Sequence, residues 1–124
     1  MTARATCLSL VCALCAALLS GCQKLSAVVP GANANAARAI ELASRHGCVS
    51  CHDIPGAAVT GRVGPTLRGL NGRAYLAGGL PNTPEQIVAF IRFPERARPG
   101  TLMPNLRVSE SDARELATFL YTLR

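Results

Sequence analysis

Residues 48–52 read Cys48-Val49-Ser50-Cys51-His52, and the interpretation of the whole chain starts from them. Two thiols lie three positions apart, and a histidine follows the second thiol directly. This spacing suits covalent haem attachment, because each sulfur can form a thioether bond to one vinyl group of the porphyrin. The next residue then lies under the iron, so the motif predicts His52 as an iron ligand. One covalently bound haem c is therefore the predicted cofactor.

A redox dithiol and a zinc site are the alternatives to haem. A redox Cys-x-x-Cys is expected beside a βαβ pattern, which this sequence does not show. A structural zinc site needs four ligands, and a catalytic one needs three plus water. The chain has no Cys or His after His52, so the motif has no downstream partners for zinc.

Length and composition indicate one small basic domain. The 124 residues include 13 Lys and Arg against 7 Asp and Glu, and the formal net charge is +6. The arginines are scattered and form no basic stripe interleaved with aromatics, so we do not expect nucleic-acid binding. The positive surface can steer the protein towards acidic protein partners, or it can serve solubility alone. With no Trp, two Tyr and three Phe, the core is modest, and a buried macrocycle would add apolar volume.

The N-terminal region has the layout of an export signal. Arg4 precedes an apolar run over residues 7–19, which is shorter than a membrane span of about 20 residues. Residues 19–22 (Leu-Ser-Gly-Cys) resemble the lipobox of bacterial lipoproteins, in which the signal is cut before a cysteine that carries a diacylglycerol. The resemblance predicts a signal peptide over residues 1–21 and lipidation of Cys22. A signal cut elsewhere and an uncleaved anchor are the alternatives.

Residues 22–35 are predicted to be a flexible tether, because Pro30-Gly31 breaks regular structure and Ala, Asn and Ser dominate the stretch. A segment packed on the domain is the alternative. Together, signal, lipid and tether place the protein on the periplasmic side of a bacterial membrane. The predicted domain comprises residues 36–124.

A first helix is predicted over Ala36–His46, with Asn35 as its N-cap and Gly47 at its end. His46 is close to Cys48 on the His52 side of the ring. We therefore interpret it as a helix-end histidine that favours the negative end of the helix dipole, not as an iron ligand.

Two more helices follow. Thr83-Pro84-Glu85 predicts a helix start, and Pro94 is expected to end that helix. The last helix is predicted over Ser109–Leu123, because a hydroxyl cap and an acid lie at capping-box spacing and leucines recur every three or four residues. Ile40 and Leu120 are candidates for a contact between the first and last helices.

Three stretches together resemble class I mono-haem c-type cytochromes: Cys48–His52, Gly64–Arg73 and Met103-Pro104. The resemblance implies an all-α fold, in which three to four helices wrap around one covalently bound haem and the N- and C-terminal helices cross. It also implies that the Pro65 carbonyl accepts a hydrogen bond from the second ring nitrogen of His52, which would orient the ring and raise its basicity.

Met103 matches the family's axial methionine, the sixth iron ligand. It is the only methionine beyond Met1, and it lies in a proline-flanked loop. The alternative is a gap-filling core residue. Arg73 matches a family arginine that binds a haem propionate, and Tyr75 is a weaker candidate for the same role. The propionate-binding tryptophan of the family has no counterpart here.

The resemblance implies an electron carrier of a respiratory chain, with iron held by His52 and Met103. Both axial positions are then filled, so no substrate position is open and no enzyme activity is expected. The implied partners are a quinol-oxidising complex or dehydrogenase and a terminal oxidase, and we expect a monomer. A fixed subunit of a dehydrogenase or oxidase complex is one alternative. A haem enzyme or gas sensor, with Met103 off the iron, is another.

Overall fold

The computed structural model describes residues 32–124, with side chains from residue 35 onwards. The predicted signal peptide, Cys22 and the tether up to residue 31 lie outside the described residues. Within the described part, no helix is long and apolar enough to cross a membrane.

The regular structure of the described chain is mostly helical, which confirms the predicted all-α class. Three helices have nine residues or more, and two have four residues each. A two-stranded antiparallel ribbon and one 3₁₀ turn lie in the long connection between the second and third helices. The elements are α1 (Ala32–Arg45), α2 (Cys48–Cys51), the 3₁₀ turn (Leu70–Gly72), β1 (Tyr75–Leu76), β2 (Leu80–Pro81), α3 (Pro84–Arg92), α4 (Pro94–Ala97) and α5 (Glu110–Leu120).

Helix α1 begins four residues earlier than the sequence predicted. Asn35 therefore lies inside the helix, and its assignment as the N-cap was wrong. Residues 32–35, which were assigned to the tether, are helical. At the other end, Gly47 has a φ of 76°, a left-handed conformation that glycine adopts without a Cβ penalty, and it turns the chain from α1 into α2.

The predicted starts of α3 and α5 are both present. Thr83 Oγ1 accepts a hydrogen bond from Gln86 N at 3.3 Å, and Ser109 Oγ accepts one from Asp112 N at 3.1 Å. Each bond satisfies one of the amide groups that a helix start leaves without a partner. Helix α3 ends at Arg92, and Pro94 then becomes the first residue of α4.

Helix α5 packs on both α1 and α3, and the core lies between them. The buried face of α1 contains Ala39, Leu42 and Ala43, whereas Ile40 is half-buried and its Cδ1 lies beside Gly56. On α3 and α5 the buried residues are Ile87, Ile91, Ala113, Leu116, Ala117 and Leu120. Two polar pairs also join α1 and the residue directly after it to α5. Arg38 lies 2.8 Å from Glu115, and His46 lies 2.9 Å from Asp112.

Candidate haem-attachment site

The two motif cysteines lie at the two ends of α2, which is a single helical turn. Both are free thiols and half-buried. Between them Val49 is buried in the core, so the turn is anchored by that side chain. Burial raises the pKa of the Cys48 thiol above its ordinary value, because desolvation disfavours the thiolate. The turn thus presents two free thiols three residues apart.

The His52 ring is held by a backbone carbonyl. Its Nδ1 lies 2.7 Å from Pro65 O. Because a carbonyl oxygen can only accept, Nδ1 carries the proton, and the lone pair of Nε2 is left for a metal. The hydrogen bond that the family resemblance implied is therefore present in the structure.

Two glycines let the loop after Ala58 approach the motif closely. A Cβ at Gly64 would lie 2.5 Å from His52 Cε1, and a Cβ at Gly61 would lie 2.4 Å from the carbonyl carbon of Cys51. Both distances are far shorter than a carbon–carbon contact, so only glycine fits at either position. The sequence signal of this close approach was a pair of glycines shortly before Pro65.

Asp53, the residue directly after His52, is hydrogen-bonded to the same loop. The sequence analysis did not identify it. Asp53 Oδ2 accepts from Thr66 Oγ1 at 2.9 Å and from Arg68 Nε at 2.8 Å. The Arg68 hydrogen bond, followed by that from Thr66, holds the pKa of the Asp53 carboxyl below its ordinary value. The backbone adds a further bond, from Leu67 N to Asp53 O at 2.8 Å. The sequence signal was an acid directly after the motif, with a hydroxyl and an arginine downstream.

Arg73 also holds this loop, through hydrogen bonds to two backbone carbonyls. Its Nη2 donates to Thr66 O and to Arg68 O, both at 2.8 Å. Asn82, a second residue missed from the sequence, donates through Nδ2 to Leu70 O at 2.6 Å and to Arg73 O at 2.8 Å. Tyr75 is 64% exposed at the start of β1. The roles of Arg73 and Tyr75 towards a haem propionate stay predictions.

Met103 lies half-buried in the segment that connects α4 to α5. Its backbone amide donates to Thr101 Oγ1 at 3.3 Å, and the preceding Leu102 is 98% exposed. The side chain lies on no helix, as the sequence predicted. Ligation of iron by Met103 stays a prediction.

His46 is engaged elsewhere, by Asp112 in the first turn of α5, at 2.9 Å between Nε2 and Oδ2. Among residues 35–124, no three His, Cys, Asp or Glu side chains come together to hold a metal ion. The described residues therefore do not form the cluster that the zinc alternative requires.

A sequence model of the cytochrome c family matches residues 36–124. The chain belongs to the cytochrome c family. Its fold is the small all-α fold of that family, and its cofactor is a covalently bound haem c with iron. Haem-based electron transfer is the function that membership supports.

One curated relative shares sequence with this cytochrome c. It is cytochrome c oxidase subunit 2 of Alkalihalophilus pseudofirmus, which is 32% identical over 78 residues. The aligned part is 62% of this chain and 22% of the relative, so the chain spans about a fifth of that protein's length. No solved structure matches the sequence.

Proposed function

We propose that this cytochrome c is a periplasmic, membrane-anchored electron carrier whose haem iron is ligated by His52 and Met103. The observation that carries the proposal is the 2.7 Å hydrogen bond from His52 Nδ1 to Pro65 O. It fixes the ring in the tautomer that leaves Nε2 free, directly after a pair of free thiols.

Each residue of the site has a definite role in this proposal. Cys48 and Cys51 would form the two thioether bonds, and His52 Nε2 and Met103 Sδ would be the two protein ligands of the iron. Bound haem supplies one-electron chemistry between Fe(III) and Fe(II). A thioether ligand favours the reduced iron and raises the potential, as in other His/Met cytochromes c. With both of these side chains on the iron, the protein would offer no open position for a substrate.

The surroundings of the ligand positions fit an apolar macrocycle. Val63, next to Gly64, is 86% exposed, and Leu102, next to Met103, is 98% exposed. Aliphatic side chains this exposed are apolar surface available for burial, and a porphyrin would bury such surface on binding. This supports haem binding at the loop around Gly64 and at the loop around Met103.

The partners are proposed from charge and from the relative. The formal net charge of +6 favours docking on acidic protein surfaces, an effect that salt weakens. The similarity to a cytochrome c oxidase subunit supports a place in a respiratory chain, between a quinol-oxidising complex or dehydrogenase and a terminal oxidase. A lipid on Cys22 would restrict the search for these partners to the membrane surface.

A fixed subunit of an oxidase or dehydrogenase complex is the second candidate, because the curated relative is itself named as an oxidase subunit. Mild solubilisation of native membranes followed by chromatography distinguishes a free carrier from a fixed subunit. A free carrier elutes alone, whereas a subunit elutes with a partner in constant stoichiometry.

Mass spectrometry of the mature protein, with carbon monoxide binding to the reduced form, tests the main proposal. We expect the mass of one haem and one lipid modification, and slow or absent binding of carbon monoxide. Rapid binding would show an open iron position and favour the haem enzyme or gas sensor. A mass without haem would contradict the site as a whole.

A further inference from the structure

The loop of residues 61–68, called here the proximal loop, is tied to the haem motif by backbone hydrogen bonds. Gly61 N donates to His52 O at 3.2 Å, and Gly64 N donates to Cys51 O at 2.8 Å. Pro65 has no N–H, so no backbone donor of this residue can hold the loop, and its carbonyl lies in the peptide plane that it shares with Thr66. Its orientation depends on the neighbouring residues and on what holds them.

We propose that Asp53 is a positioning residue for the iron ligand. Its carboxylate, bound by Thr66 and Arg68, fixes the proximal loop so that the Pro65 carbonyl stays on His52 Nδ1. The inference deepens the proposed function and rests on ligation of iron by His52.

The geometry is a closed ring of four residues. His52 is joined by the chain to Asp53, Asp53 by a 2.9 Å hydrogen bond to Thr66, Thr66 by the chain to Pro65, and Pro65 by a 2.7 Å hydrogen bond back to His52. Because the ring closes through the peptide plane between Pro65 and Thr66, a bond at the Thr66 side chain restrains the carbonyl that the imidazole uses. Arg73 holds the other side of Thr66 by donating to its carbonyl at 2.8 Å.

The arginine adds a second contact to the ring. Arg68 Nε lies 2.8 Å from Asp53 Oδ2, Arg68 Nη2 lies 3.4 Å from Oδ1, and Arg68 N donates to Thr66 Oγ1 at 3.2 Å. Thr66 therefore accepts from the Arg68 backbone while it donates to the carboxylate. Linked hydrogen bonds of this kind hold each other in place more firmly than separate ones.

We expect the intact Asp53 contacts to lower the reduction potential of the haem. A hydrogen bond from Nδ1 to a carbonyl raises the basicity of the imidazole, and a more basic ligand stabilises Fe(III). A loosened ring would weaken that bond and favour Fe(II). The Asp53 contacts thus tune the iron without touching it.

The test is made on the holoprotein. It compares variants that separate the effect of the loop's hydrogen bonds from the effect of a lost positive charge. Thr66→Val removes the hydroxyl with little change in shape and none in charge. Arg68→Met removes a charge and its hydrogen bonds. Arg62→Met is the matched control. Arg62 and Arg68 line the same cavity of about 480 Å³ beside Asp53, but only Arg68 is hydrogen-bonded to that carboxylate.

Two measurements are made on each variant, a redox titration followed by absorbance and the solvent exchange of the His52 Nδ1–H by NMR. Thr66→Val should raise the ratio of reduced to oxidised protein at a fixed ambient potential by about threefold, and the proton should exchange about tenfold faster. Arg62→Met should lower the ratio, since a lost positive charge favours Fe(III), and should leave the exchange unchanged. Arg68→Met should give a higher ratio than Arg62→Met and faster exchange.

Unchanged ratio and exchange in Thr66→Val would overturn the role of Asp53, as would identical behaviour of the two arginine variants. The wild-type spectrum distinguishes failure of this inference from failure of the proposed function. A wild-type holoprotein without an imidazole ligand would overturn both, whereas an imidazole ligand with unresponsive variants overturns only the inference.

Discussion

Gly64→Ala tests how closely the proximal loop must approach His52. The added Cβ would lie 2.5 Å from Cε1, 2.7 Å from Nδ1 and 3.0 Å from Nε2 of the ring. Carbon atoms in contact prefer a separation of about 3.5–4.0 Å, so the loop or the ring must move by about 1 Å. The methyl group has no flexible neighbour to displace, because these three atoms belong to a rigid ring and Gly64 N is hydrogen-bonded to Cys51 O.

Two effects of Gly64→Ala lower the free energy of unfolding. Overpacking of this kind destabilises proteins by about 1–3 kcal/mol. A shift of about 1 Å would also lengthen the His52–Pro65 hydrogen bond, and a bond of this type contributes about 0.5–1.5 kcal/mol. Together we expect a loss of about 2–4 kcal/mol, which in a domain of this size lowers the melting temperature by roughly 10–20 °C.

Thermal unfolding of the holoprotein, followed by circular dichroism, measures the loss. Gly72→Ala is the matched control, because a Cβ there meets nothing within 4 Å and Gly72 is not among the glycines with positive φ. The control should melt close to the wild type. If Gly64→Ala melts with the control and keeps the Nδ1–H signal of His52, the argument from close approach is refuted.

Three further predictions concern other parts of the protein. Met103→Ala should lower the reduction potential and open the iron to carbon monoxide; an unchanged potential in redox titration would remove Met103 from the iron. Cys22→Ala should keep haem incorporation but release the protein from membranes, and lipid labelling that persists in this variant would contradict lipidation of Cys22. His46 holds the pKa of Asp112 below its ordinary value, so their pairing stabilises the fold fully above about pH 4 and is lost as pH falls through the lower folded pKa. Asp112→Asn should therefore flatten the acid limb of urea stability measured against pH, and an acid limb as steep as that of the wild type would argue against the pairing.

Local sequence signals predicted two helix starts correctly and one wrongly. Thr83 and Ser109 cap their helices because the capping bond joins residues three positions apart, so its evidence is local. Asn35 carries the same kind of signal but lies inside α1. The preceding residues are rich in alanine, the strongest helix former, and the helix continues through them to Ala32.

The hydrogen bonds that place the ligand could not be predicted in the same way. Asp53 lies 13 residues from Thr66 and 15 from Arg68, across a loop with no regular period. Asn82 holds Leu70 and Arg73 over similar separations. No propensity or periodicity specifies which polar side chains meet across such a loop, because the partners are chosen by how the loop folds back.

The sequence by itself determined the chemistry of the site, since two thiols and an imidazole at fixed spacing act within one helical turn. It also indicated the main helices, through caps and apolar periodicity that act over a few residues, whereas the all-α class was implied by the family resemblance. The family resemblance implied the partner of the histidine ring, but only the tertiary structure decided its tautomer, because the tautomer depends on a carbonyl 13 residues away. That carbonyl reaches the ring only where glycine removes the Cβ that would keep the two segments apart.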